Sequence, residues 1–370
     1  MKALKILGVN AAVLVALMVL IEVALQGVAF VRPSYETLFL QPDKGLGWKE
    51  VPNLHWTWGG SFWYASDFSV TAVANPLGFR DKTRETAKPD GVKRVALLGD
   101  SFIEAIQVPF EQTAGQLLDQ QLNSAGTGKW EVLNFGVSNF GVGQYLLAWE
   151  QYAKNFHPDY VTIFVAKLHM LRTLDKYEYG AFSATADDAL WVRPSFRVEN
   201  GTLIREGARD VAKFEALQKG LIADQFGEDR SRRRVQWITP TYTKLITDRL
   251  RRLKSSLTGK SSGPKIDEDP KDDPDLFVIN RMIIEELGRQ VKATGGQFAI
   301  VDASRYFQDE PGVSDFLKSV AEANGFGYIP VSQDLLQANS QGITTRWPHD
   351  GHLNVVGNQI LAKALGNWTK

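Results

Sequence analysis

From Arg94 onward, short apolar runs alternate with stretches in which apolar residues recur at helical spacing. Val95-Ala-Leu-Leu98, Val132-Leu-Asn-Phe135, Tyr160-Val-Thr-Ile-Phe-Val165, Phe298-Ala-Ile-Val301 and Tyr328-Ile-Pro-Val331 have strand length, and the first ends in turn residues. They read as strands of a parallel sheet, buried on both faces. Between and after them, Phe110–Leu122, Gln144–Phe156, Val278–Ala293, Val313–Ala323 and Asn354–Leu365 read as helices; in the first, Ala114, Leu117, Leu118 and Leu122 share one stripe. This alternation predicts an α/β fold, three layers α/β/α around a doubly wound parallel sheet, with functional groups at the carboxyl ends of the strands.

Three other segments depart from that pattern. An apolar stretch from Ile6 to Val31 follows Lys2 and Lys5 and is long enough for the ~20 residues of a membrane-spanning helix, although Glu22 inside it costs free energy. Positive charge on its amino side favours insertion with the amino terminus inside, which exports everything after Arg32. Residues 1–32 therefore read as an N-terminal transmembrane anchor, or as a cleaved signal peptide if the small residues Gly27-Val28-Ala29 mark a cleavage site; a buried helix of a soluble protein is the third option. Either of the first two makes the remainder periplasmic or extracellular.

Residues 33–90 form a leading segment rich in aromatics and turn residues, including Trp48, Trp56, Trp58, Phe62-Trp63-Tyr64 and Asn75-Pro-Leu-Gly-Phe-Arg80. Short strands and loops are expected there, packed on the main domain or stacking on sugar rings. Residues 91–370 then form the α/β domain, interrupted by a long insertion at about 176–275. Within it, Ile246, Leu250, Leu253 and Leu257 predict a basic amphipathic helix, and Ser261 to Asp275 a flexible loop.

Composition narrows the function classes. The 370 residues carry 42 basic and 42 acidic side chains, so no global field recruits nucleic acid or another polyanion. The chain has no cysteine, which excludes a disulfide framework, a thiolate zinc site and a cysteine nucleophile.

Two short sequences carry candidate chemistry. Gly99-Asp100-Ser101-Phe102 follows the first strand directly, where a turn can present the Ser101 hydroxyl to a cleft and its N–H to a developing oxyanion. His349-Asp350-Gly351-His352-Leu353-Asn354 stands before the last helix. A serine hydroxyl is a poor nucleophile until an imidazole accepts its proton, and the imidazole needs a carboxylate to fix its tautomer; His352 and Asp350 can supply both. His349, Asp350 and His352 could instead be metal ligands, and a purely structural turn with Asn354 capping the last helix is the plainest reading.

Taken together, Val95-Ala-Leu-Leu-Gly-Asp-Ser-Phe102, Asn134-Phe-Gly-Val-Ser138 and Asp350-Gly-His-Leu-Asn354 with Gly357 resemble three sequence blocks of the SGNH/GDSL hydrolases, in the family's order. Leu46-Gly-Trp48, Pro52-Asn53 and Asn75-Pro-Leu-Gly-Phe-Arg80 are similar to the leading segment of its membrane-anchored bacterial members. The resemblance implies a serine ester hydrolase with Ser101 as nucleophile, His352 as base and Asp350 as its partner, the amides of Ser101 and Gly136 in the oxyanion hole, and neither metal nor cofactor. It further implies an acylated carbohydrate or other ester substrate, with acyl transfer on the same scaffold, or glycan binding without turnover, as alternatives. The chain departs from the family twice. Val165-Ala-Lys-Leu-His169 stands where a Gly-x-Asn-Asp sequence usually supplies an oxyanion-hole Asn, which leaves His169 or Lys167 as the candidate replacement donor, His169 being the better placed, and Asp350 lies two rather than three residues before His352.

Overall fold

The sheet forms where the apolar runs predict it. A computed structural model describes residues 2–31, 39–59, 67–126, 128–174, 182–183, 189–190, 192–216, 219, 274–307 and 312–369. The chain divides into two compact units, residues 1–36 with 219–271, and residues 37–218 with 272–370. In the first, α1 (Lys2–Val31) is a 30-residue helix on which Leu14, Leu17 and Leu20 are exposed. Among the described residues no helix is long and apolar enough to cross a membrane, so the fold gives the expected span no support. The predicted basic helix at 246–257 and most of the loop at 261–275 lie outside the described residues.

The second unit opens with two hairpins, β1 (Leu40–Asp43) with β2 (Gly47–Glu50), and β3 (His55–Gly59) with β4 (Ser69–Val73). The central sheet is built from β5 (Val92–Leu98), β6 (Lys129–Asn134) and β7 (Tyr160–Val165). The short strands β8 (Phe182–Ser183) and β9 (Ala189–Leu190) and the hairpin β10 (Ser195–Glu199) with β11 (Thr202–Glu206) follow in the predicted insertion. Strands β12 (Gln297–Asp302) and β13 (Gly327–Ile329) complete the sheet, whose order is β13-β12-β7-β5-β6 with every pair parallel. The chain moves from β5 outward to β6, then returns past β5 to β7, so β5 stands where the direction of winding reverses. Open α/β sheets place their clefts at the carboxyl side of that point, which here is occupied by Gly99-Asp100-Ser101.

Side chains along each strand alternate between two cores, as the pleat requires. Val95 and Leu97 point into one core with Phe164, Ala299 and Val301, while Ala96 and Leu98 point into the other with Ile163, Val165 and Ile300. The first core is closed by α3 (Ala114–Ser124) together with α9 (Val331–Ser340) and α10 (Val355–Trp368), the second by α4 (Val142–Gln151), α6 (Pro274–Ala293) and α8 (Val313–Asn324). The short helices α2 (Ser101–Glu104), α5 (Lys167–Leu171) and α7 (Ser304–Phe307) follow directly on strands.

Element ends follow local chemistry. Thr113 caps α3 by accepting the Gln116 N–H at 3.3 Å, so the α-helix begins with the apolar stripe at Ala114, four residues after the predicted start at Phe110, where a short 3-10 turn stands instead. Asn354 caps α10 by accepting the Gly357 N–H at 3.0 Å, so the capping role of that asparagine and the neighbouring His352 coexist in one loop. Pro330, expected inside a strand, instead ends β13 and precedes α9, since proline lacks the N–H a central strand needs.

Candidate active site

Ser101 is the first residue of α2, immediately past β5. Gly99 is required at the join, because a Cβ there would lie 2.2 Å from Ile103 Cγ1. Asp100 caps α2, with Oδ1 accepting the Phe102 N–H at 3.1 Å. Ser101 is the N1 residue, so its own N–H is one of the donors a helix leaves without an internal partner.

His352 lies 251 positions along the chain and reaches the same place because its loop also stands at the carboxyl end of the sheet. His352 Nε2 is 2.8 Å from Ser101 Oγ, and Nδ1 is 2.5 Å from Asp350 Oδ1, which also accepts the His352 backbone N–H at 3.1 Å. An aspartate two residues before a histidine can hold both groups only if the chain folds back between them. Gly351 does this with φ of +84°, a conformation that glycine adopts without strain. The imidazole packs against Phe102, ring centroids 4.8 Å apart, and remains 26% exposed, while Ser101 is 9% exposed. The three side chains thus form a hydrogen-bonded line whose most exposed member is the imidazole.

The structure places the third predicted donor elsewhere. His169 Nδ1 accepts the Ala166 N–H at 3.0 Å, which puts the ring proton on Nε2, and Nε2 donates to Asp100 Oδ2 at 2.9 Å. With both nitrogens engaged, His169 does not supply the expected oxyanion donor. Arg172 Nη1 also donates to Asp100 Oδ2 at 2.9 Å. Burial alone would raise the Asp100 carboxyl; His169, Arg172 and the Phe102 N–H outweigh it and hold the carboxyl well below the usual range. Asp100 is therefore a charged anchor beneath Ser101 rather than a proton carrier.

The Gly136 N–H, expected in the oxyanion hole, donates to Asn134 Oδ1 at 2.8 Å. Glycine is needed there because a Cβ would lie 2.5 Å from the Glu104 amide nitrogen. Leu168 is 37% exposed and occupies the stretch where the resemblance leads one to expect the missing Asn.

Sequence reasoning missed the buried carboxyls behind α2. Glu50 of β2, Glu104 of α2 and Arg80 are all fully buried, Ser138 donates to Glu104 Oε2, and Arg80 donates to the carbonyls of Glu104, Ala105 and Val108. Burial and the neighbouring Glu104 push the Glu50 carboxyl well up from 4.5; burial also raises Glu104, against the pull of Glu50, Ser138 and Arg80. An acid whose pKa is raised on folding binds protons as the chain folds, so its contribution is fully present below 4.5 and is lost as pH rises through the raised value. Glu50→Gln is accordingly expected to flatten the fall of the melting midpoint as pH rises above 4.5. An identical pH slope in the variant and the natural protein would overturn this assignment.

The metal alternative for His349, Asp350 and His352 fits the geometry poorly. His349 Nδ1 pairs with Asp67 Oδ1 at 2.7 Å, whereas His352 points to Ser101, and among the described residues no three His, Cys, Asp or Glu side chains form a ligand set.

No protein-family model matches the chain, and no curated protein matches it either. Among solved structures the chain is similar to the crystal structure of TesA, with 11% identity, a TM-score of 0.40, and coverage of 75% of this chain and 98% of that one. It is likewise similar to a lipase/acylhydrolase from Enterococcus faecalis, with 10% identity, a TM-score of 0.40, and coverage of 75% and 94%. A third is a catalytic mutant of Axe2, an acetylxylan esterase from Geobacillus stearothermophilus, with 10% identity, a TM-score of 0.39, and coverage of 76% and 94%.

Proposed function

We propose that the chain is a serine ester hydrolase of the SGNH/GDSL type that works through an acyl-Ser101 intermediate. The observation that carries this reading is the line Asp350 Oδ1, His352 Nδ1, His352 Nε2, Ser101 Oγ, whose links measure 2.5 and 2.8 Å. In the first half-reaction His352 Nε2 takes the hydroxyl proton as Ser101 Oγ bonds to the ester carbonyl carbon. Asp350 holds the ring so that Nε2 is the basic nitrogen and stabilises the imidazolium that forms. As the tetrahedral intermediate collapses, the carbonyl carbon–oxygen bond to the leaving alcohol breaks, and His352 returns the proton to that oxygen. Water, activated by the same nitrogen, then releases the acid and restores Ser101.

For the oxyanion, the Ser101 N–H is the donor that its place at the start of α2 leaves open. The Gly136 N–H can join it only by leaving Asn134. This economy of donors favours a second reading, in which the site binds an acylated glycan without turning it over. Losing one oxyanion donor typically costs ~100- to 1000-fold in rate, so the two readings separate on an activated ester such as p-nitrophenyl acetate and on fluorophosphonate labelling of Ser101. Turnover with labelling supports the hydrolase; glycan binding with neither supports the second reading.

The substrate class we assign is an O-acyl group on a cell-envelope or exported glycan, on the resemblance of residues 46–80 to the leading segment of the family's membrane-anchored bacterial members. An acceptor hydroxyl in place of water would turn the same intermediate toward acyl transfer. We further propose that residues 1–32 anchor or export the chain, leaving residues 33–90 and the α/β domain at 91–370 with its insertion outside the cytoplasm; the apolar stretch behind Lys2 and Lys5 supports this. A reporter active only outside the cytoplasm, fused after Lys370, should then be active, and activity confined to a cytoplasm-dependent reporter would refute the topology.

A further inference from the structure

The loop that carries Asp350 and His352 is held from outside. Trp347 N–H donates to the His352 carbonyl at 2.9 Å and Gly351 N–H to the Trp347 carbonyl at 3.0 Å, which closes the loop on itself. Trp347 Nε1 donates to the Gln107 carbonyl at 3.2 Å, which ties it to the segment following α2. A further tie comes from the leading segment. Asp67 Oδ2 accepts the N–H groups of His349 at 2.8 Å and Asp350 at 3.1 Å, and Oδ1 faces His349 Nδ1 at 2.7 Å. The next residue, Phe68, is buried with its ring 5.7 Å from that of Trp347.

We propose that Asp67 is a positioning residue of the catalytic machinery, clamping the backbone of His349 and Asp350 so that the Asp350 carboxylate meets His352 Nδ1. This rests on the reading of Ser101, His352 and Asp350 as a triad. The physical need for a clamp lies in Gly351, whose backbone is the softest joint in the loop and stands between the two residues that must meet. Fixing the Asp350 amide fixes its Cα, and with it the direction from which Oδ1 approaches the imidazole. Asp67 suits the task because its carboxylate is only 7% exposed and three donors converge on it. Burial would raise its pKa, but the ring and amide hydrogen bonds from His349 and the amide of Asp350 outweigh that and keep it below the ordinary value, so the acceptor stays charged. His349, which the family resemblance would make an aspartate, is thereby explained: its ring, 42% exposed, covers the clamp rather than binding substrate.

The test uses the full chain, with fluorophosphonate titration counting active sites and p-nitrophenyl acetate reporting turnover. Asp67→Ala is expected to lower kcat per titrated site by on the order of 10- to 100-fold, with KM within about twofold, because the reacting groups lose alignment while the cleft is intact. Asp67→Asn retains an oxygen that accepts the two amides and should recover most of kcat. A merely structural role predicts the opposite division, fewer titratable sites with an unchanged rate at each. Should Asp67→Ala fail to fold, Asp67→Leu, which keeps the volume and removes every acceptor, carries the same comparison with Asp67→Asn. Unchanged kcat per site in the acceptor-free variant, or no recovery in Asp67→Asn, overturns the clamp alone. Failure of the natural protein to label at Ser101 overturns the triad and the clamp together.

Discussion

Ser101→Ala should reduce ester turnover by on the order of a million-fold and abolish fluorophosphonate labelling, while the melting midpoint stays close to that of the natural protein. The size follows from the unit character of the site: without Oγ there is no nucleophile, and His352 and Asp350 have nothing to activate. What remains is catalysis by binding and by any oxyanion donor, which in serine hydrolases of this logic is ~1000- to 10000-fold over water. Stability is spared because the lost group is small and its partner is not stranded. His352 is partly exposed, so water replaces the hydroxyl at Nε2. The hydrogen bonds that shape the turn belong to Asp100 and to the helix backbone, which alanine leaves in place. Melting curves, labelling and kcat on p-nitrophenyl acetate measure all three. Retained turnover sinks the nucleophile assignment, and retained turnover that a chelator removes would revive the metal reading of the histidine loop.

Much of this site is legible in the sequence because its parts are local. A wholly apolar run followed by Gly-Asp-Ser places a hydroxyl at a strand's carboxyl end whatever the rest of the fold does, and the sheet order then puts that end at the point where winding reverses. Asp350-Gly351-His352 is equally self-contained, since the glycine supplies the left-handed turn that lets one carboxylate oxygen hold both the amide and the ring. Groups whose partners come from distant segments are not legible. His169 sits just past the third strand, where an oxyanion donor belongs, but nothing in its neighbours shows that Asp100, at the end of the adjacent strand, takes its Nε2 proton. Asp67 is one polar residue in an aromatic stretch, and its three donors lie more than 280 positions away. Glu50 and Glu104 meet from separate segments of the chain, where Trp48 Nε1 donates to the Ser138 carbonyl and the Ser138 hydroxyl to Glu104. Periodicity reports which faces are apolar; it carries no record of which buried polar groups find one another.

Asp350→Asn and His352→Ala should separate orientation from proton transfer. His352→Ala removes the base itself, and its loss should approach that of Ser101→Ala, on the order of a million-fold in kcat. Asparagine at 350 keeps the shape of the side chain, and its oxygen can still accept the His352 amide that Asp350 Oδ1 accepts at 3.1 Å. What it lacks is the negative charge beside Nδ1, and an amide turned the other way would present N–H to Nδ1 and force the proton onto Nε2, where the base must be free. A loss of about 10000-fold in kcat, roughly 5 kcal/mol of transition-state stabilisation, is therefore expected, with KM little changed because neither group holds the substrate. The double variant should lose no more than His352→Ala alone, since Asp350 acts only through the imidazole. Turnover of Asp350→Asn equal to that of the natural protein would show that Asp350 is not the orienting carboxylate, and additive losses in the double variant would show that it acts on the substrate or on the loop rather than through His352.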